Sequence, residues 1–183
     1  QIMEDQQQIE KAVKLLADAE QPIIYGGGGL INSGTRASEL LREFADLTGY
    51  PVTLTLMGLG AFPASNKHFL GMLGMHGTYE ANLAMHQCDV MFNIGARFDD
   101  RVTGRIKDFS PNSTKIHVDI DPSSINKNVK VDLPIIGDAA LILEQMIQVW
   151  KEKGYKRNDG MLSEWWQKIE VWRDKKCLDF KQD

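Results

Sequence analysis

Pro22-Ile-Ile-Tyr25 runs into Gly26-Gly-Gly-Gly29, and Val90-Met-Phe-Asn-Ile94 runs into Gly95-Ala-Arg-Phe-Asp-Asp-Arg101. These two stretches decide the fold. Each is a short apolar run without apolar–polar alternation, and each ends in a loop of glycine or charge. A strand with one wet face alternates; one without alternation has both faces covered. Working outward, three more runs read as strands that end in a loop bearing Gly or Asp: Pro51-Val-Thr-Leu-Thr-Leu56 before Met57-Gly-Leu-Gly60, Lys115-Ile-His-Val-Asp-Ile120 before Asp121-Pro122, and Val131-Asp-Leu-Pro-Ile-Ile136 before Gly137-Asp138.

Helical patterns separate these strands. Ile9, Ala12, Val13, Leu15, Leu16 and Ala19 form one apolar stripe over 7–19, ended by Pro22. Residues 35–48 turn Ala37, Leu40, Leu41, Phe44, Ala45 and Leu47 inward, with Asn32-Ser33-Gly34 as a candidate cap and Gly49 at the C-terminal position. Helices are also expected over 78–87 and 139–153. Strand–helix alternation with largely apolar strands predicts an α/β domain built on a parallel sheet covered on both faces.

The chain has 183 residues, 43% hydrophobic and 25% charged, which suits one domain able to bury a core without cross-links. A net charge of -4 with mixed signs offers no basic field for nucleic acid. Cys88 and Cys177 are far apart and in no CxxC spacing, so they suit reduced thiols of a cytoplasmic protein better than a disulfide framework or a metal site. No apolar run reaches the ~20 residues that span a bilayer, and the opening QIMEDQQQIEKAVKLL lacks a signal-peptide pattern. Gln1 is no natural initiator, so a piece of a longer polypeptide is expected. The domain is expected over 5–153. Residues 154–183 form a polar linker and a helical segment holding Trp165, Trp166, Ile169, Trp172, Leu178 and Phe180. That segment packs either on this domain or on a neighbour.

Ligands of such sheets bind beyond the carboxyl ends of the strands, so the loops there are the candidates. Gly26–Gly29 lacks the GxGxxG spacing. It allows either close approach of a phosphate to bare backbone or a tight strand-to-helix crossing. In Leu73-Gly-Met-His-Gly77, flanking glycines present Met75 and His76, where a structural histidine remains the plainer alternative. Gly95–Gly104 places Arg97, Asp99, Asp100 and Arg101 within five residues. The two guanidinium groups could fork onto a phosphate or carboxylate, or the loop could neutralise itself. Exposed ion pairs contribute only ~0–1 kcal/mol, so stability is a poor reason for the cluster. Asp119 and Asp121 end a strand, where a carboxylate can accept ribose hydroxyls; no third oxygen ligand for a metal is evident. Asp138 stands either near that site or at the start of the last helix. No Gly-x-Ser-x-Gly elbow, Walker A loop or HExxH occurs. The residues describe a nucleotide holder rather than a complete catalyst.

In order, PIIYGGGG, TLMGLGAFP, LGMLGMHGTYEAN, CDVMFNIGARFDDRVTG, HVDIDPSSINKN and IIGDA resemble the catalytic subunits of acetolactate synthases over about residues 5–150. RFDDRVTG together with GMHG is specific; the other blocks are shared more widely among thiamine-diphosphate enzymes. The resemblance implies a three-layer, Rossmann-like (DHS-like) nucleotide-binding domain with a six-stranded parallel sheet, the middle one of three domains. This domain would bind FAD, while thiamine diphosphate and Mg2+ would sit in the other two. It implies an enzyme that joins the two-carbon unit left by pyruvate decarboxylation to pyruvate or 2-oxobutanoate, at the start of valine, leucine and isoleucine synthesis. A homodimer or tetramer, and a regulatory small subunit, are implied partners.

For individual residues, the resemblance implies FAD contacts at Gly26, Gly27, Gly28, Thr55, Leu56, Met57, Leu73, Gly74, Met75, His76, Gly95, Ala96, Arg97, Asp99, Arg101, Val102, Asp119, Ile120 and Asp138. Arg101 and Met75 would also shape the pocket of the acceptor 2-oxo acid. The cofactor-activating glutamate of the family's first domain and the metal motif of its third are absent, so this piece is expected to be inactive alone. Two other classes stay open: the middle domain of a related decarboxylase or carboligase that holds ADP, and a stand-alone NAD-binding or interaction module. The intact RFDDRVTG argues against the first. The second should bury its own tryptophans.

Overall fold

The computed structural model describes residues 2–74, 76–97, 110–125 and 129–182. Its elements are α1 (Ile2–Ala17), β1 (Pro22–Gly26), a short α2 (Gly28–Asn32), α3 (Thr35–Thr48), β2 (Val52–Leu54), β3 (Phe69–Met72), α4 (Tyr79–Gln87), β4 (Val90–Ile94), β5 (Thr114–Asp119), β6 (Leu133–Ile136), α5 (Ala139–Glu152) and α6 (Asp159–Gln182). The sheet has six strands in the order β3-β2-β1-β4-β5-β6, all parallel. The sheet and its flanking helices make the three-layer α/β arrangement. All five residues of β1 and of β4 are buried, which is why neither alternates.

Helices α1, α3 and α5 pack together, and α4 packs with α6. Phe44 of α3 meets Phe92 of β4 edge-on at 5.9 Å, a geometry that places the positive ring edge on a negative face. Gly49 ends α3 in the left-handed region at φ 80, its N–H bonding Ala45 O at 2.8 Å, as its place in the sequence predicts. The capping expectation for Asn32-Ser33-Gly34 is not met: α3 has no side-chain cap. Ser33 turns to the start of α5 instead, accepting from Ala140 N at 3.1 Å.

Two elements escaped the pattern. Strand β3 is four residues long and contains Gly71 at φ 105, and its pairing with β2 shifts register at Val52/Thr53. No period of two survives in so short and irregular a strand. Helix α2 is too short to display a helical period.

Of the two alternatives for the tryptophan-rich tail, the structure selects packing on this domain. Leu162, Trp165 and Ile169 lie three and four residues apart, on one face of α6, and all are buried. Trp165 Nε1 donates to Pro22 O at 2.8 Å and Trp166 Nε1 to Gly49 O at 2.9 Å. Arg173 Nη2 donates to Phe69 O of the edge strand β3 at 2.9 Å. Among the described residues no helix is long and apolar enough to cross a membrane. Trp165→Ala should cost about 3–5 kcal/mol, the usual range for emptying a buried tryptophan site, in urea unfolding of the chain. A loss below ~1 kcal/mol would detach α6 from the cooperative unit.

Candidate functional site

Strand order reverses between β1 and β4, so the carboxyl ends of these two strands form the crevice where such sheets take ligands. Its floor is backbone. Gly27 N donates to Ile94 O at 3.1 Å and Gly29 N to Gly95 O at 2.9 Å. A Cβ at Gly27 would stand 2.4 Å from Ala96 Cα, and one at Gly29 would stand 2.7 Å from Gly95 Cα. At Gly26 it would strike the Leu30 and Leu54 side chains at 2.6 and 2.9 Å. Tight crossing therefore explains Gly26, Gly27 and Gly29. Gly28 differs: its nearest neighbour would be Met57 Cβ at 3.2 Å, and Met57 is itself 74% exposed. Gly28 is thus the least crowded position in the run, where a Cβ would need only the Met57 side chain to give by a few tenths of an ångström.

Asn93 anchors the opposing loop. It is fully buried in β4; its Nδ2 donates to Ala96 O and its Oδ1 accepts from Ala96 N, both at 2.9 Å. This pairing holds the turn through Gly95, at φ 75, and sends the exposed Arg97 outward from the sheet edge. By its place in the sequence Asn93 reads as an ordinary strand residue. An amide inside an apolar run was the available signal, because burial without partners would be costly.

A cleft of about 100 Å³ opens beside this turn, lined by residues that include Gly29, Asn32, Ser33, Gly95, Asp119 and Asp138. Asp119 Oδ1 accepts from Asp121 N at 2.9 Å, and its Oδ2 lies 3.5 Å from His117 Nε2. A carboxylate has about four acceptor sites, so Asp119 retains capacity for a ligand hydroxyl. Asp138 is largely committed. It caps α5 through Ala140 N and Leu141 N at 3.1 and 3.3 Å, and it accepts from Ser33 Oγ at 2.7 Å. Its place is at the helix start, against the cleft wall. Asn32 and Ser33 were not among the expected site residues. Ile120, 70% exposed, stands on the rim.

The edge continues over β2 and β3. Thr55 N donates to Gly26 O at 2.9 Å, and Thr55 Oγ1 accepts from Gly58 N at 3.1 Å. That turn leaves Leu56 69% exposed beside Met57. Beyond β3, Leu73 is buried, Gly74 has φ 112 and His76 is exposed. The Gly28, Met57 and Thr55 positions are adjacent, as are Gly95 and Asp119; Leu73, Gly74 and His76 form a separate turn on the same edge. Met75, Asp99, Arg101 and Val102 lie outside the described residues. Among the described residues no group of three or more His, Cys, Asp or Glu side chains could hold a metal ion.

Residues 9–146 match the family described as thiamine pyrophosphate enzyme, central domain, and the chain belongs to that family. It is similar to proteins named as acetolactate synthases. It is 51% identical, over 97% of its length, to the acetolactate synthase large subunit of Buchnera aphidicola subsp. Schizaphis graminum. It is 47% identical over 94% to the acetolactate synthase isozyme 3 large subunit of Escherichia coli, and 51% identical over 94% to the large subunit of Haemophilus influenzae. The chain spans about 30% of the length of each of these relatives.

His117 supplies a pH dependence. Burial holds its pKa below the ordinary 6.5, against the opposing pull of the Asp119 carboxylate and the Ala96 backbone. Burial, then Arg157 and Lys67, likewise lower His68. Folded histidines that resist protons are destabilising once the unfolded chain can take them up. Their contribution is complete above pH 6.5 and is lost as pH falls from there toward the folded-state values. The thermal midpoint should be flat above neutrality and decline below pH 6.5, with a shallower decline in His117→Gln. An unchanged acid limb in that variant would rule His117 out as its source.

Proposed function

We propose that this chain is the FAD-binding central domain of an acetolactate synthase catalytic subunit. The full polypeptide would be a thiamine-diphosphate- and Mg2+-dependent transferase. It would release CO2 from one pyruvate and place the remaining two-carbon unit on a second pyruvate or on 2-oxobutanoate, as in branched-chain amino-acid synthesis. The observation that carries this reading is near-complete alignment, at about half identity, with proteins named acetolactate synthase large subunit. The RFDDRVTG segment at 97–104 supports it over the ADP-holding relatives. The buried Trp165 would also suit a self-sufficient module; family membership weighs against that class.

The residues at the carboxyl edge suit a dinucleotide. Bare backbone at Gly28 admits close approach, Asp119 offers acceptors to ribose hydroxyls, and the exposed Arg97 can meet phosphate. Exposed Leu56, Met57 and Ile120 offer apolar surface to a ring system. The cleft is small. At about 100 Å³ it falls below the ~300–1,000 Å³ typical of ligand sites, so it would take one end of FAD, with other domains covering the rest. Joining two 2-oxo acids with loss of CO2 needs no net electron transfer, so bound flavin supplies shape and charge rather than a redox equivalent. This chain's part is to hold and orient; alone it is expected to have no synthase activity.

Calorimetric and fluorescence titration with FAD, using FMN and ADP as controls, tests the reading. Saturable FAD binding should weaken about 5–30-fold in Arg97→Ala and in Asp119→Ala, as for loss of a charge-assisted hydrogen bond. Equal binding of ADP would favour the decarboxylase relatives. Absence of FAD binding in the full-length polypeptide as well would refute the assignment. Glycine exchange sharpens the test. Gly28→Ala should fold and bind FAD more weakly, whereas Gly27→Ala should destabilise the fold by at least ~2 kcal/mol, because the clash there is with backbone.

A further inference from the structure

We propose that Asn82, on the first turns of α4, is a positioning residue that fixes the turn carrying Leu73, Gly74 and His76 against bound FAD. This rests on the flavin reading above. Asn82 is exposed, yet its amide is fully engaged with backbone. Oδ1 accepts from Gly74 N at 3.0 Å, while Nδ2 donates to Gly74 O and to Thr78 O, both at 2.9 Å. The side chain therefore grips both backbone polar groups of one residue, Gly74, as a neighbouring strand would. Gly74 reaches that geometry at φ 112, where a side chain would be strained.

The mount beneath is rigid. Thr78 caps α4, accepting from Ala81 N at 3.1 Å, and its hydroxyl donates to Leu70 O. Ala81, Ala84 and Met85 bury the helix against the core. Gly71 and Gly77 close the turn: an added Cβ would stand 2.4 Å from Thr78 Cγ2 and 1.9 Å from Met72 O, respectively. Thr78 thus ties the helix to β3, and Asn82 ties the turn to the helix. Only the first tie supports the fold. An exposed side chain bonded solely to local backbone adds little to global stability, so its work is to restrict the turn before a ligand arrives.

The test uses the full-length enzyme and compares Asn82→Ala and Asn82→Asp with Thr78→Ala. The aspartate keeps the acceptor for Gly74 N and loses both donors. Asn82→Ala is expected to raise the FAD Kd about five- to thirty-fold, as for two or more lost hydrogen bonds, and to shift the emission of bound flavin. Its thermal midpoint should stay within ~2 °C of the parent's, the shift expected of a few tenths of a kcal/mol. Asn82→Asp should weaken FAD binding as well. Thr78→Ala should instead lower the midpoint by several degrees, as a lost helix cap does. Unchanged FAD affinity in Asn82→Ala, or a loss that only tracks its thermal midpoint, overturns the positioning role and leaves the flavin reading intact. A parent enzyme that binds no FAD fails that reading, and this inference falls with it.

Discussion

Backbone packed against backbone is the constraint on which the rest depends. At the reversal of strand order, Gly27 and Gly29 lie on Gly95 and Ala96 so closely that no side chain fits between them. This contact fixes how the loops that follow β1 and β4 lie against each other. It also lifts any ligand above the reversal point, toward Gly28 on one side and the Asp119 cleft on the other. A glycine run that looks like a phosphate cradle is therefore mostly a close-packing device, with one position left to spare.

The two edges of the sheet are built oppositely. The amino edge is closed by side chains that satisfy backbone. Asp89 accepts from Glu20 N and Gln21 N at 2.8 and 2.9 Å, Asp132 from Lys115 N at 2.8 Å, and Trp165 covers Pro22 O. Lys115, whose pKa burial lowers, sends Nζ to Ser110 O at 2.8 Å. Cys88 contacts Ser110 Oγ at 3.2 Å, and burial pushes its thiol up to about 11, so it remains a protonated packing group at neutral pH. At the carboxyl edge, Leu56, Met57, Ile120 and Arg97 face outward.

Asparagine holds loops at the carboxyl edge. Asn93 from within the sheet and Asn82 from its surface each pair with both polar groups of a single residue in a loop. An amide carries its donor and its acceptor on separate atoms, so it can meet a residue's N–H and C=O side by side, which an ionised carboxylate, an acceptor only, cannot. The acidic residues divide between tasks: Asp138 caps a helix, whereas Asp119 keeps spare acceptors at the cleft.

The sequence by itself determined the fold class and five of the six strands. Those follow from local physics: unbroken apolar runs need both faces covered, and Gly or Asp after a strand marks a turn. Its motif strings also carried the family. Only the tertiary structure decided which glycines pack and which one is open, that Asp138 and Ser33 serve the start of α5, that α6 folds back onto β1, and that Asn82 and Asn93 hold loops. Each of those depends on partners distant in sequence, such as Ser33 with Asp138 or Trp165 with Pro22. Periodicity records how a side chain faces the core, and it cannot record which remote backbone atom that side chain will meet.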